Sequence, residues 1–130
     1  MQIDDGRVVS NFIVQALSGQ KLTIYGKGAQ TRSFCYISDL IKGILKIMEI
    51  DYQLPLNLGN PLEFKIIELA NLILKLTKSK SKIEFLPFPQ DDPKRRKPDI
   101  SKIKKICGWQ PVVSPQKGLK RAIEYFRQVI

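Results

Sequence analysis

Leu22-Thr23-Ile24-Tyr25-Gly26-Lys27-Gly28-Ala29-Gln30-Thr31-Arg32 is the stretch from which the fold can be read. Its first four residues are β-rich, and the glycines after them cannot prolong a strand, so a strand runs here into a loop. Ser33 to Ile37 follows with aromatic and β-type residues, which predicts a second short strand. Upstream, Val8, Val9, Phe12, Ile13, Ala16 and Leu17 recur at helical spacing and Gly19 stops them. Downstream, Ser38 can cap a helix with Leu40, Ile41, Ile44, Leu45 and Met48 on one side.

The alternation continues to the end of the chain. Leu56-Asn57-Leu58 reads as a short strand closed by the turn Gly59-Asn60-Pro61. Ile66, Leu69, Ala70, Ile73 and Leu76 form the stripe of a helix, and Ile67 and Leu74 extend it to a second side. Lys82 to Leu86 predicts a strand, and Pro87, Pro89 and Pro93 bracket a loop. A short helix from Asp99 to Gly108 turns Ile100, Ile103 and Ile106 inward, with Trp109 as the apolar contact closing its end. Ser114-Pro115 is a cap followed by proline at the first helical position, opening a last helix with Leu119, Ala122, Ile123, Phe126 and Val129 inward. The fold class is α/β. Only seven residues precede the first helix, and the β-α-β units are too few for a complete nucleotide-binding sheet.

Composition narrows the chemistry. The chain has 130 residues, 43% hydrophobic and 26% charged, enough for one ordinary domain with a core that needs no disulfide or structural metal. Histidine is absent, which removes imidazole acid-base catalysis and every histidine-containing metal site. Cys35 and Cys107 sit apart in apolar surroundings, as expected of reduced, buried thiols in a cytoplasmic protein. No apolar run is long enough for a membrane span. The net charge of +10 points to anionic partners: a nucleic acid, a membrane surface or a phosphorylated small molecule.

The glycine loop suits the last of these. Its glycines let the backbone approach a ligand, Tyr25 offers a ring on which a base can stack, and Lys27 and Arg32 carry charge for a diphosphate. The same residues also fit a solvated loop between two strands. Neither a G-x-x-x-x-G-K-S/T nor a G-x-G-x-x-G motif is present. Lys94-Arg95-Arg96-Lys97, with Lys102, Lys104 and Lys105, reads either as a solvated charge run or as an anion clamp through Arg95 or Arg96. A nucleic-acid reading of this cluster lacks a recognised binding signature. Asp91 and Asp92 are adjacent in a proline-flanked loop and balance neighbouring cations rather than forming a metal or glycosidase pair.

Taken in order, these segments resemble the C-terminal portion of the NAD-dependent sugar-nucleotide epimerase/dehydratase family, the extended short-chain dehydrogenase/reductases. The resemblance is strongest to the subfamily that decarboxylates UDP-glucuronate. It is carried by Asp5-Gly6-Arg7-Val8-Val9-Ser10-Asn11-Phe12-Ile13, similar to the opening of the substrate-binding helix, and by Tyr25-Gly26 through Gln30-Thr31-Arg32, similar to the uridine-diphosphate loop. Asn57-Leu58-Gly59-Asn60-Pro61, Gln90-Asp91-Asp92-Pro93 with Arg96-Lys97-Pro98-Asp99-Ile100, and Gly108-Trp109-Gln110-Pro111 complete the series.

The resemblance implies a substrate site of Thr23, Tyr25, Gly26, Gln30, Arg32, Gln90 and Arg96. Tyr25 and its neighbours would hold uracil, Arg32 would contact the diphosphate, and Arg96 would donate a proton to the carbanion left by loss of carbon dioxide. In such enzymes NAD oxidises the sugar C4 hydroxyl, the β-keto acid decarboxylates, and the hydride returns. The glycine-rich dinucleotide loop is missing, and none of Tyr25, Tyr36, Tyr52 and Tyr125 has lysine four residues later. Met1 matches an internal methionine of the family. Residues 1–130 therefore read as a substrate-binding fragment with an incomplete Rossmann sheet, the N-terminal NAD-binding part being absent. NAD is expected in the complete enzyme but not on this chain alone, and no metal is expected. A UDP-sugar is the expected partner, with no nucleic acid or membrane, and the complete enzyme is expected to be a homodimer. The alternatives are a stand-alone module for UDP-sugars or other phosphorylated ligands, and another epimerase or dehydratase of the family.

Overall fold

The computed structural model describes residues 2–88 and 97–130. Its elements run α1 (Val8–Leu17), β1 (Leu22–Tyr25), β2 (Thr31–Ser33), α2 (Ile37–Met48), β3 (Glu63–Lys65), α3 (Ile66–Thr77), β4 (Ile83–Leu86), α4 (Ser101–Cys107) and α5 (Pro115–Val129). Strands β1 and β4 pair in parallel, Leu22 opposite Ile83 and Tyr25 opposite Leu86. Strands β2 and β3 pair antiparallel, Thr31 opposite Lys65 and Ser33 opposite Glu63.

The main core lies where α1, β1, α3 and α5 meet. Phe12, Ile13, Leu22, Ile24, Leu69, Ile73 and Phe126 are each at most 2% exposed, and each such side chain contributes about 1.5–3 kcal/mol by leaving water. Their spacing explains the elements. On α3, Ile66, Leu69, Ala70, Ile73 and Thr77 fall on one side of a 3.6-residue repeat and are all buried. In β1, alternate residues Leu22 and Ile24 point into the core while Tyr25 points out. Helix α5 starts as its sequence predicts: the Ser114 hydroxyl accepts from the Lys117 backbone N–H at 3.2 Å, and Pro115 occupies the first turn.

A second, smaller cluster joins Ile100, Ile103 and Trp109 to Leu58, Ile47 and both cysteines. Its hub is Asp39 on α2, 1% exposed. The Asp39 carbonyl accepts from Trp109 Nε1 at 2.9 Å, and its carboxylate Oδ2 accepts from the backbone N–H groups of Val112 and Val113 at 3.1 and 2.9 Å. Gly43 makes room for this contact, because a Cβ there would stand 3.0 Å from the Trp109 ring and 2.6 Å from Leu58. Trp109 thus closes the end of α4, as expected, and also pins α4 and the approach to α5 onto α2.

Four expectations are corrected. The second strand ends at Ser33, since its length is set by pairing with β3, and Ile37 begins α2 instead. Tyr36, not Ser38, sits at the N-cap of α2, and it supplies no side-chain cap. Leu56–Leu58 forms no strand, while Glu63–Lys65 forms one that its sequence does not advertise. The cysteines are half-buried rather than buried.

Candidate functional site

The glycine loop between β1 and β2 is bound into the fold by its backbone. The first two N–H groups of α3, which a helix leaves without internal partners, donate to loop carbonyls: Ile66 to Gln30 at 3.0 Å and Ile67 to Gly28 at 3.1 Å. Both loop glycines have positive φ, +68° at Gly26 and +75° at Gly28. A Cβ on Gly28 would fall 2.9 Å from the Ile67 Cβ, and one on Gly26 would fall 2.7 Å from the Phe88 ring. The close approach that these glycines permit is therefore to α3 and Phe88. Neither Gly26 nor Lys27 is among the residues lining the cavity beside the loop.

That cavity has a volume of about 880 Å³ and lies between the start of α1 and the strands β1 and β2. Of the expected substrate residues, Thr23, Tyr25, Gln30 and Arg32 all line it. Gln30 is nearly buried, and its amide donates to the Tyr25 carbonyl at 3.0 Å, which fixes the curl of the loop. Thr23 is held by a pair of bonds with Gln15 on α1: its hydroxyl accepts from Nε2 at 3.1 Å, and its backbone N–H donates to Oε1 at 3.2 Å. Arg32 donates through Nη1 to the Thr31 carbonyl at 2.7 Å. The Thr31 hydroxyl in turn donates to Glu63 at 2.9 Å, locking β2 to β3 beneath it. Tyr25 is 48% exposed, so a face of its ring remains available at the rim. Gln90 and Arg96 lie outside the described residues.

Among the lining residues not expected as substrate contacts are two cations and an amide. Arg7 and Asn11 come from the start of α1, and Lys97 from the segment before α4. Asn11 donates to the Gly6 carbonyl at 3.1 Å, and the Arg7 guanidinium stands 3.6 Å from Asp5, so this corner is shaped by its own side chains. Lys97 and Pro98 are brought to the cavity by the Leu56–Asn60 turn: a Cβ on Gly59 would meet Pro98 at 2.8 Å, and Asn57 donates to the Asp99 carbonyl at 3.4 Å. The turn is structural rather than ligand-facing. Next to it, the Ser101 backbone N–H donates to Asp99 at 2.9 Å and holds its carboxyl below the ordinary range. The signal for Arg7 lay in Asp5-Gly6-Arg7, a basic residue at the mouth of a helix beside the glycine turn.

Arg7, Arg32 and Lys97 put three cations around a cavity whose floor, Phe12, Ile24 and Phe34, is apolar. An anion with an attached flat ring fits this arrangement: arginine binds phosphate oxygens through parallel N–H donors, and an exposed tyrosine stacks on a base. A second cavity, about 420 Å³, adjoins the first through Arg7, Val8, Ser33 and Phe34 and is walled by α2 and α5. Cys35 lines it, and burial, then the nearby Asp39 carboxylate, push its thiol up to about 11.

Known proteins share both sequence and fold with this chain. Residues 1–59 match the model of the NAD dependent epimerase/dehydratase family. The solved UDP-glucuronic acid 4-epimerase of Bacillus cereus, in complex with UDP-glucuronic acid and NAD, superimposes with a TM-score of 0.90 at 28% identity, covering 100% of this chain and 42% of that one. In fold, the chain is therefore similar to solved epimerases and dehydratases of the short-chain dehydrogenase/reductase type. Within that class its sequence is similar to UDP-glucuronic acid decarboxylases. It is 55% identical to UDP-glucuronic acid decarboxylase 1 of Danio rerio over 126 residues, 97% of this chain and 30% of the relative. It is 51% identical to UDP-glucuronic acid decarboxylase 6 of Arabidopsis thaliana over 127 residues, 98% of this chain and 37% of that protein. The chain thus spans about a third of the length of the curated relatives it matches. Among the described residues no helix is long and apolar enough to cross a membrane.

Proposed function

We propose that this chain is the UDP-sugar-binding portion of an NAD-dependent UDP-glucuronate decarboxylase, which converts UDP-glucuronate to UDP-xylose and carbon dioxide. The observation that carries the proposal is the gathering of Thr23, Tyr25, Gln30 and Arg32 around one cavity with Arg7 and Lys97. The uracil stacks at Tyr25, and the diphosphate meets Arg32 with Arg7 and Lys97 at its flanks. By the same resemblance Arg96 is the proton donor to the carbanion. Sequence similarity to decarboxylases of two kingdoms supports this choice of chemistry over epimerisation.

NAD belongs to the remainder of the enzyme, because the chain has neither a glycine-rich dinucleotide motif nor a Tyr-x-x-x-Lys pair. By itself the chain binds UDP-sugars without turning them over. The whole enzyme acts as a homodimer in the cytoplasm, a setting consistent with the free thiols of Cys35 and Cys107.

Two measurements test the proposal. In a heteronuclear NMR titration with UDP-glucuronate, the amide signals of Thr23, Tyr25, Gln30 and Arg32 move together while those of α5 stay in place. Shifts confined to the basic α4 segment would contradict the assignment of the site. Incubation of the chain with UDP-glucuronate and NAD yields no UDP-xylose, and formation of that product would overturn the claim of inactivity.

A further inference from the structure

Gln15 is not among the residues that line the larger cavity, yet it decides what one of the lining side chains can offer a ligand. It lies on α1 between Ile13 and Ala16, both buried, so the core fixes its backbone. Its amide meets Thr23 of β1 at two points: Oε1 accepts from the Thr23 backbone N–H at 3.2 Å, and Nε2 donates to the Thr23 hydroxyl at 3.1 Å. A backbone N–H can only donate, so turning the amide over would set NH2 against N–H; Nε2 therefore stays on the hydroxyl. Thr23 Oγ1 accepts from Gln15 and keeps its own proton, and among the described residues no group accepts that proton. Thr23 is thus a hydrogen-bond donor at the wall of the cavity, held there by a residue of another element.

The position of this donor points to what it reads. Leu22 and Ile24 are buried, so Thr23 and Tyr25 share the other face of β1, about 7 Å apart along the strand. A pyrimidine lying on the Tyr25 ring has its edge within reach of Thr23. Arg7, at the mouth of α1, precedes Gln15 by eight residues, about 12 Å along the helix. The cations therefore mark the diphosphate end of the cavity, and Thr23 the end that meets the part of the base farthest from the diphosphate. In a pyrimidine nucleotide that part is position 4, a carbonyl in uracil and an amino group in cytosine. We infer that Gln15 is a positioning residue that selects uracil over cytosine, by holding the Thr23 hydroxyl as a donor to the 4-carbonyl. The inference rests on the functional reading above and assigns its base specificity to a side chain outside the cavity. The amino group of cytosine is met only by turning the hydroxyl proton away, where nothing among the described residues accepts it. Leaving a polar group unpaired in this way is what makes a site reject a close analogue.

Calorimetry with UDP and CDP tests the inference on the 130-residue chain. The two nucleotides carry the same diphosphate, so the ratio of their affinities is blind to any charge introduced at residue 15. The unaltered chain binds UDP at least about tenfold more tightly than CDP. Gln15→Glu keeps the acceptor for the Thr23 N–H but puts a second acceptor in place of Nε2, which draws the hydroxyl proton away from the cavity; the preference then falls to about threefold or less. Thr23→Val, close to threonine in shape but without the hydroxyl, gives the same loss, and it serves alone if Gln15→Glu fails to fold. Thr23→Ser restores the preference. Equal affinity of the unaltered chain for UDP and CDP overturns the inference. So does a ratio that survives Gln15→Glu or Thr23→Val, because a merely structural role of the pair weakens both nucleotides alike. Arg32→Ala keeps the two readings apart: UDP binding that depends on Arg32 but shows no preference over CDP contradicts the base selection alone, whereas no heat from either nucleotide at millimolar concentration contradicts the functional reading and the inference with it.

Discussion

Gly28→Ala is predicted to destabilise the chain far more than the same change at glycines that look equivalent in the sequence. At φ +75° a non-glycine residue costs about 1–2 kcal/mol. The new Cβ would also fall 2.9 Å from the Ile67 Cβ, 3.1 Å from its backbone nitrogen and 3.2 Å from Ile24, all atoms fixed by the core. Crowding of that kind adds about 1–3 kcal/mol, for a total of roughly 2–5 kcal/mol, a large share of the 5–15 kcal/mol typical of a domain. Gly26→Ala meets the ring of Phe88, which is 36% exposed and can swing away, so only about 1–2 kcal/mol is expected there. Gly19→Ala, at φ +69° with nothing within 4 Å, isolates the backbone cost of about 1 kcal/mol. Urea unfolding followed by the fluorescence of Trp109, the sole tryptophan, reads all three. The midpoint should fall by about 1–2 M for Gly28→Ala and by well under half as much for Gly19→Ala. Equal shifts for the two would refute the reasoning that Gly28 serves the contact with α3.

The remaining predictions concern the hub, the thiol and the last cap. Asp39→Ala strips the acceptor from two backbone N–H groups and should cost about 2–4 kcal/mol by the same unfolding assay, with Asp39→Asn recovering part of it; a loss below about 1 kcal/mol would deny the hub its role. Cys35, with its thiol raised to about 11, should alkylate slowly at neutral pH and accelerate as pH climbs toward that value. Because folding raises this pKa from 9.0, the folded state holds the proton longer: the stabilisation is intact below about 9 and is lost as pH rises through about 11, and Cys35→Ser should flatten that decline. Ser114→Ala should lower stability by about 1 kcal/mol, and an unchanged urea midpoint would show that Pro115 alone starts α5.

The helices were legible in the sequence because one repeat serves both to form them and to bury them. Ile66, Leu69, Ala70 and Ile73 declare α3, and Ser114-Pro115 declares the start of α5, without reference to anything distant. Strands are a property of two segments. Leu56–Leu58 has the composition of a strand but no ladder partner among the described residues, whereas the polar Glu63–Lys65 is a strand because β2 lies beside it. Periodicity likewise reveals the stripe on α2 but not what it faces. In the site, Thr23, Tyr25, Gln30 and Arg32 were legible because they are nearly contiguous, and they line the cavity together. Arg7 and Lys97, ninety residues apart, meet there only through the fold, and no local pattern announces it. The glycines signalled freedom of φ but not their neighbours, which is why their use against Phe88 and α3 had to come from the structure.

Titration calorimetry of the chain with UDP, before and after Arg32→Ala, tests the claim of a uridine-diphosphate site most directly. A built site of three cations and a stacking ring predicts saturable binding in the micromolar range that is lost with Arg32 and spared by Lys120→Ala, a substitution on the exposed side of α5. No heat at millimolar UDP, or binding indifferent to Arg32, would contradict it.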